Sequence, residues 1–116
     1  KEGTRFLNEM KAAGYKDTSG FRLNSWLSMQ VLAKVANGLP EVTSAAIYDK
    51  LNTTTNLATG LTPPLQWTTP ADTGLGAITR VFNLCELAVK MTKGKNVKPV
   101  TGKFFDAFAG EDCPTP

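Results

Sequence analysis

Residues 25–38 constrain the fold more than any other segment, because they predict a helix that is apolar on nearly every side. Its polar side chains share one narrow face of the helical wheel: Gln30, Lys34 and Asn37. A helix at the surface of a globular protein needs an apolar stripe of only about 100°. This helix therefore needs cover on two or three sides, normally a sheet with other helices beside it. Few segments of the 116-residue chain can supply that sheet, which favours a fragment of a larger protein.

Helix-ending and helix-starting residues place two shorter helices on either side of this one. Apolar residues recur at helical spacing across 4–13, and Gly14 suits the left-handed position that ends a helix. A third helix is predicted over 43–52, with Thr43 as its N-terminal cap. Asn24 or Ser25 is the expected cap of the central helix.

The second half of the chain lacks helical periodicity. Residues 56–77 are rich in glycine and proline and predict an irregular crossover, with one short extended piece around Trp67. Apolar and polar residues alternate over 78–91, with a slip around Phe82, Asn83 and Leu84 that indicates a bulge or a break. A turn around Lys93–Lys95 and a return strand over 97–104 complete an antiparallel hairpin. The expected fold class is α/β, with three helices, a crossover and a hairpin.

The cysteines leave two alternatives open. Cys85 and Cys113 are separated too widely for a redox pair, and two thiolates without histidine make a poor zinc site. In an oxidising compartment they could form a disulfide that ties the C-terminal tail to a strand. Otherwise Cys85 is a small buried residue and Cys113 is a free thiol in the tail.

Composition argues against most catalytic and cofactor chemistry. The chain has no histidine, which excludes a Ser-His-Asp triad and any histidine metal ligand within it. Gly74 and Gly76 lack the third glycine of a dinucleotide fingerprint. The net charge of +3 is too small to indicate nucleic acid. We therefore expect no enzyme activity, no metal, no cofactor and no nucleic-acid partner.

Five lysines fall within the predicted hairpin, and they have two interpretations. They are Lys90, Lys93, Lys95, Lys98 and Lys103. They could form a patch that binds a polyanion or a protein partner. Alternatively they protect an exposed edge strand from pairing with other sheets. The second interpretation is favoured, because no arginine or aromatic residue is interleaved with the lysines.

The two tryptophans differ in context. Trp26, at the start of the apolar helix, is expected to pack in a core, whereas Trp67 lies in a proline-rich connector where it could line a cleft or pin the loop. We expect Met29, Leu32, Ala33 and Ala36 to share the buried face with Trp26.

Four stretches in sequence resemble one known family. They are Phe6–Gly14, Asn24–Ala33, Val42–Leu51, and Arg80–Asn83 followed by the lysine hairpin and Pro99–Gly102. Their order resembles the C-terminal third of a type I periplasmic solute-binding protein, the branched-chain amino acid (leucine/isoleucine/valine) class of ABC-importer receptor. The resemblance covers roughly residues 5–107. No single motif carries it, and its strength lies in the sequential agreement.

The resemblance implies a division of the chain between two lobes. Residues 1–60 would form a helical part of the N-terminal lobe, 61–77 the crossover between lobes, 78–107 strands of the C-terminal lobe, and 108–116 a tail. This family is about three times longer, so the chain would be a fragment whose ligand-anchoring residues lie mostly upstream. Open faces on such a fragment predict self-association.

The resemblance also implies a function, a location and a weak set of site residues. The full-length protein would bind an amino acid or similar small polar solute and present it to an ABC permease. It would act outside the cytoplasm, in the periplasm or at the cell surface, where a lipid anchor is one way to hold it. Phe21, Asn24 and Trp26 come nearest to the family's cleft, with Trp67 as a further candidate. The alternatives are a small α+β interaction module that uses the lysine hairpin, and, less favoured, an enzyme domain.

Overall fold

The computed structural model describes residues 1–16, 18–92 and 96–116 and contains three helices and one hairpin. The helices are α1 (Glu2–Ala12), α2 (Gly20–Ala36) and α3 (Ser44–Asn52). The strands β1 (Cys85–Thr92) and β2 (Asn96–Asp106) form a two-stranded antiparallel sheet. The predicted class, a small α/β protein with three helices and a hairpin, is confirmed at this level.

Helix α1 ends as its sequence predicts. Gly14 takes a positive φ of 79°, which glycine adopts without a steric penalty. Its N–H donates to the carbonyl of Lys11 at 3.0 Å, and the N–H of Tyr15 donates to the carbonyl of Met10 at 2.9 Å. These two bonds satisfy carbonyls that the helix itself leaves free, and they form a Schellman motif.

Helix α2 begins earlier than predicted. It starts at Gly20, with Ser19 in the N-cap position, so the predicted cap at Asn24 or Ser25 is wrong. The Ser25 hydroxyl instead donates to the carbonyl of Phe21 at 3.0 Å, one turn back within the helix. No helix-breaking residue separates Gly20 from Ser25, so the helix propagates backwards through residues 21–24.

Helix α3 begins at the predicted cap. Thr43 has extended backbone angles, and its hydroxyl accepts a hydrogen bond from the N–H of Ala46 at 3.1 Å. This bond satisfies one of the N–H groups that the first turn of a helix leaves without a partner. The cap fixes where α3 begins and therefore which of its side chains face α2.

The hairpin differs from its prediction at its start and in its bulge. Strand β1 begins at Cys85, and residues 78–84 are irregular, so the predicted start at 78 is wrong. Side-chain bonds explain the difference: Asn83 and Gln66 exchange two hydrogen bonds of 3.1 Å, which hold this stretch to the crossover instead of to β2. Of the two alternatives for the slip around Asn83, the structure has the break, because the strand begins only after it. The bulge of the hairpin is a register shift between Leu87 and Val89. The turn predicted at Lys93–Lys95 lies outside the described residues.

The packing is sparse for a chain of this size. Within the described part, the buried hydrophobic side chains are Phe6, Trp26 and Val35. The accessible surface is 8494 Å², whereas a compact monomer of 12.5 kDa exposes about 6,200 Å². The radius of gyration is 16.0 Å, against about 13 Å for a compact domain of this length. The chain therefore leaves much apolar surface uncovered.

The face of α2 that was predicted to be buried is the uncovered one. Met29 is 61% exposed and Leu32 40% exposed, and Ala33 is also exposed, so their predicted burial is wrong. Trp26 is buried as predicted, at 8% exposure. Helices α1 and α3 pack against the Trp26 and Val35 sides of α2, and no described element covers the Met29 side.

Candidate functional site

An apolar groove runs between α2, α3 and the crossover. Its volume is about 310 Å³. Its walls are Leu27, Ser28, Val31, Leu32, Val35, Ile47, Leu51, Leu65 and Trp67. Two pairs of these residues lie one helical turn apart, the spacing that places side chains on one helix face. They are Val31 with Val35 on α2 and Ile47 with Leu51 on α3. The groove brings one predicted site residue, Trp67, against helix α2.

Backbone hydrogen bonds set the crossover side of this groove. Leu57 and Leu65 exchange two backbone bonds of 2.8 and 3.0 Å, which form an isolated antiparallel bridge. The N–H of Trp67 donates to the carbonyl of Thr54 at 2.9 Å, just beyond the end of α3. These bonds hold Leu65 and the Trp67 indole opposite α2. The predicted extended piece is therefore present as a bridge and a pinned tryptophan.

The groove can bind an apolar or aromatic group but offers little to a charged one. Ser28 is its one polar lining residue, and its hydroxyl already donates to the carbonyl of Asn24 at 2.9 Å. A free amino acid carries a carboxylate and an ammonium group, which need charged or hydrogen-bonding partners when they are desolvated. The lining of this groove does not supply them.

Trp26 occupies a different position, between α1 and α2. Its Nε1 donates to Oε2 of Glu9 at 2.7 Å, and its ring meets Phe6 edge to face at 5.7 Å between centroids. Arg5 lies 5.4 Å from the same ring and donates from Nε to Oε1 of Glu9 at 2.8 Å. We call Arg5, Glu9 and Trp26 the clasp, because they join the two helices.

The clasp sets the ionisation of Glu9. The hydrogen bond from Trp26 and then that from Arg5 stabilise the carboxylate, and they lower the pKa of Glu9. Arg5 also donates from Nη2 to Oε1 of Gln30 at 2.8 Å, a second link to α2. Trp26 is thus committed to packing between α1 and α2.

The other predicted site residues lie on separate surfaces. Phe21, in the first turn of α2, is 87% exposed. Asn24 lines a second cleft of about 390 Å³ between α2 and the hairpin, which includes Leu61, Glu86 and Phe104. Phe21, Asn24, Trp26 and Trp67 therefore do not converge on one site within the described residues.

The hairpin and the tail are joined covalently. Cys85, the first residue of β1, forms a disulfide with Cys113, with Cα atoms 6.1 Å apart. The N–H of Cys113 donates to the carbonyl of Phe104 at 2.9 Å, and Phe105 pairs with Asp112 in an isolated bridge. The structure therefore has the disulfide, and not the alternative of a buried Cys85 with a free thiol at Cys113. It places residues 111–113 along the outer edge of β2.

The lysines of the hairpin do not form one free patch in the described part of the chain. Lys90 lies opposite Lys98 on the paired strands, and both are exposed. Lys103 instead pairs with Asp112 at 2.7 Å, and this hydrogen bond raises the pKa of Lys103. Lys93 and Lys95 lie outside the described residues. Two adjacent lysines on an edge fit the protective interpretation of the pattern.

Two features of the site region were not predicted. The partnership of Glu9 and Trp26 joins residues 17 positions apart, and no local pattern indicates it. The sequence does indicate that Ile47 and Leu51 act together, because their four-residue spacing puts them on one face of α3. What the spacing does not indicate is which segment lies opposite.

Comparison of the chain with protein-family models, with curated proteins and with solved structures gives no significant match. In the part of the chain that the structure describes, no helix has the length and apolarity needed to span a membrane. Nor does this part bring together three or more side chains that could hold a metal ion.

Proposed function

We propose that this chain is the C-terminal part of a type I solute-binding receptor of an ABC importer, which binds an amino acid or a similar small polar solute without chemical change. In such a receptor two lobes close around the solute by a hinge motion. The four-segment resemblance of the sequence supports the proposal. The order of three helices, an irregular crossover and an antiparallel hairpin agrees with it.

The observation that carries the proposal is the uncovered surface. The chain exposes 8494 Å², about 2,300 Å² more than a compact monomer of its mass. The exposed side chains of α2 include large apolar ones, Phe21, Met29 and Leu32, and a contiguous exposed apolar surface marks a place that other protein covers. A lobe of a larger receptor would supply that cover over α2.

The disulfide between Cys85 and Cys113 supports a location outside the cytoplasm, because such bonds persist mainly in oxidising compartments. An exported receptor that delivers its solute to a membrane permease fits that location.

The contacts to the solute come from few residues of this chain. Phe21 and Asn24 are exposed near the start of α2 and are available to touch a ligand held between lobes. Trp26 supports them indirectly by fixing α2 against α1. Trp67 lies in the apolar groove and would touch only an apolar part of the solute. The groups that anchor the solute's charges lie in the rest of the receptor.

A thermal-shift screen tests this proposal. The longer protein encoded by the same reading frame is screened against amino acids and aromatic acids, beside the 116-residue chain. A solute at about a hundred times its dissociation constant should stabilise the longer protein by about 2.7 kcal/mol. The 116-residue chain should not respond. Tight binding by the short chain would contradict the claim that the anchoring groups lie elsewhere.

A pair of variants tests the role of α2 in that binding. Phe21→Ala in the longer protein should weaken binding of the solute, because Phe21 is proposed to contact it. Phe108→Ala is the matched control, since Phe108 is also an exposed phenylalanine, far along the chain beyond β2. Equal effects of the two substitutions would remove Phe21 from the site.

A further inference from the structure

The C-terminal tail pairs with the outer edge of β2 as a very short third strand. The N–H of Asp106 donates to the carbonyl of Glu111 at 2.8 Å, and the N–H of Cys113 donates to the carbonyl of Phe104 at 2.9 Å. The two bonds flank an antiparallel bridge at Phe105. Because β1 lies on the other side of β2, the tail satisfies two backbone groups that β1 cannot reach.

A covalent bond and an ion pair hold the tail in this position. The disulfide joins Cys113 to Cys85, the first residue of β1, so the tail is tied across the hairpin. Lys103 also donates to Asp112 at 2.7 Å, but the two side chains are 69% and 67% exposed, and an exposed ion pair contributes little. The disulfide is therefore the stronger of the two restraints.

A different part of the β2 edge is protected by its own sequence. Lys98 is exposed, and the neighbouring Pro99 has no N–H to donate. Charged side chains and prolines are common means of keeping an edge strand from pairing with another chain. Phe104 and Phe105 offer no such protection, because aromatic residues favour strands. This unprotected stretch is the one that the tail covers.

We propose that the tail covers a strand-pairing edge of β2, and that this edge, once uncovered, pairs with the same edge of a second copy of the chain. In a twofold antiparallel pair centred on Phe105, the N–H of Asp106 would donate to the carbonyl of Phe104 in the other copy, and the reverse. These are the two groups that the tail satisfies now, so the edge is self-complementary. The inference does not rest on the receptor proposal.

The side chains along this edge also suit the pairing. Phe105 would lie directly opposite its own symmetry mate, and aromatic pairs across antiparallel strands stabilise a sheet. Lys103 would lie opposite Ala107, and Phe104 opposite Asp106. The pairing therefore sets no two like charges against each other over residues 103–107, which would be destabilising. Twofold symmetry is also the commonest form of a homodimer.

Reduction of the disulfide would free the edge. A dithiol reductant supplies two electrons and two protons, which convert the bond between the Sγ atoms of Cys85 and Cys113 into two thiols, while the reductant becomes a disulfide. The tail would then keep only its two backbone hydrogen bonds and the exposed ion pair. A second copy can replace those two hydrogen bonds with equivalent ones.

Sedimentation velocity over a wide concentration range tests the role of the tail. The unlatched variant combines Cys85→Ser with Cys113→Pro, which removes the disulfide and the N–H that donates to Phe104. We expect it to self-associate at least about tenfold more tightly than the oxidised chain, because backbone groups of β2 become available for hydrogen bonds. The reduced chain, which needs no substitution, should shift in the same direction. Circular dichroism checks that the helices are kept.

A cysteine at the centre of the pair tests the geometry. In the unlatched variant, Phe105→Cys would place two thiols on directly opposed residues whose Cα atoms lie about 4.5 Å apart, within the range that a disulfide spans. Oxidised glutathione, which is itself reduced, should link the two copies into a covalent dimer. Val100→Cys in the same background is the matched control, because Val100 also belongs to β2 but lies outside the pair. It should give little covalent dimer.

Two results would overturn the proposal. If neither the unlatched variant nor the reduced chain self-associates more tightly than the oxidised chain, the tail covers no pairing edge. If Val100→Cys gives the covalent dimer and Phe105→Cys does not, the two copies meet at another part of the hairpin.

Discussion

Trp26 donates its indole hydrogen to Glu9 across 2.7 Å, and this bond fastens α1 to α2. The two residues lie on different helices, and both are also in contact with Arg5. The buried hydrophobic side chains of the described part are Phe6, Trp26 and Val35, and Trp26 is the largest of them. The clasp therefore supplies a large share of the buried contacts in the described part of the chain.

Truncation of Trp26 should destabilise the chain strongly. Trp26→Ala removes a buried ring and its contact with Phe6, and we expect it to lower the free energy of unfolding by about 3–5 kcal/mol. Urea denaturation followed by circular dichroism measures this. Trp67→Ala is the control, because Trp67 is only half-buried and should cost less. A loss under about 1 kcal/mol for Trp26→Ala would show that the clasp contributes little.

The clasp should weaken in acid. The hydrogen bonds from Trp26 and Arg5 lower the pKa of Glu9 below the usual value for a glutamate. A carboxyl whose pKa is lower in the folded state stabilises that state fully above its unfolded pKa, and the stabilisation is lost as the pH falls through the folded pKa. We expect α1 to loosen as the pH falls below the ordinary pKa of a glutamate, about 4.3.

Tryptophan fluorescence in a Trp67→Phe background measures this acid transition at Trp26. Glu9→Gln keeps a hydrogen-bond acceptor for the indole but cannot be deprotonated, so the transition of Trp26 should disappear in that variant. An unchanged transition in Glu9→Gln would assign the acid response to another carboxyl group.

Reduction of the disulfide should release the tail from β2. In the chain-entropy model a loop with a sequence separation of 28 contributes about 3–4 kcal/mol. Cys113→Ser should lower the stability by that order, and a reductant should add nothing further to the variant. Lys103→Ala, which removes only the exposed ion pair with Asp112, is the control and should change stability little. Two freely alkylated thiols in the unreduced chain would contradict the bonded arrangement.

Loss of the cap on α3 should have a smaller effect. Thr43→Ala removes the acceptor for the N–H of Ala46, and such changes typically cost about 1 kcal/mol. Thr55→Ala changes an exposed threonine outside the helix and is the matched control. The melting temperatures of the two variants measure the difference. Equal temperatures would show that α3 does not depend on this cap.

Features encoded by neighbouring residues were predicted well from the sequence. Gly14 and Thr43 act through bonds within a few residues, so the end of α1 and the start of α3 were predicted correctly. The start of α2 was not, because Asn24 and Ser25 are good caps in isolation but the helix continues through them. Strand β1 was predicted too long, because alternation cannot show that Asn83 bonds to Gln66.

The candidate site was less predictable, because its parts come from distant segments. The apolar pattern of α2 indicated a need for cover but not which face would receive it. Trp26 is buried as predicted, whereas Met29 and Leu32 are exposed and Val35 is buried instead. Trp67 was a reasonable cleft candidate from its setting, and its place opposite Leu51 depends on the bond to Thr54.

Native mass spectrometry of the longer protein after incubation with a mixture of amino acids and aromatic acids tests the receptor proposal most directly. One measurement reports both whether a solute is held and whether its mass has changed. We expect one intact, unmodified solute per protein, and none on the 116-residue chain alone. A solute converted to a product would contradict the receptor proposal, as would a longer protein that retains no solute.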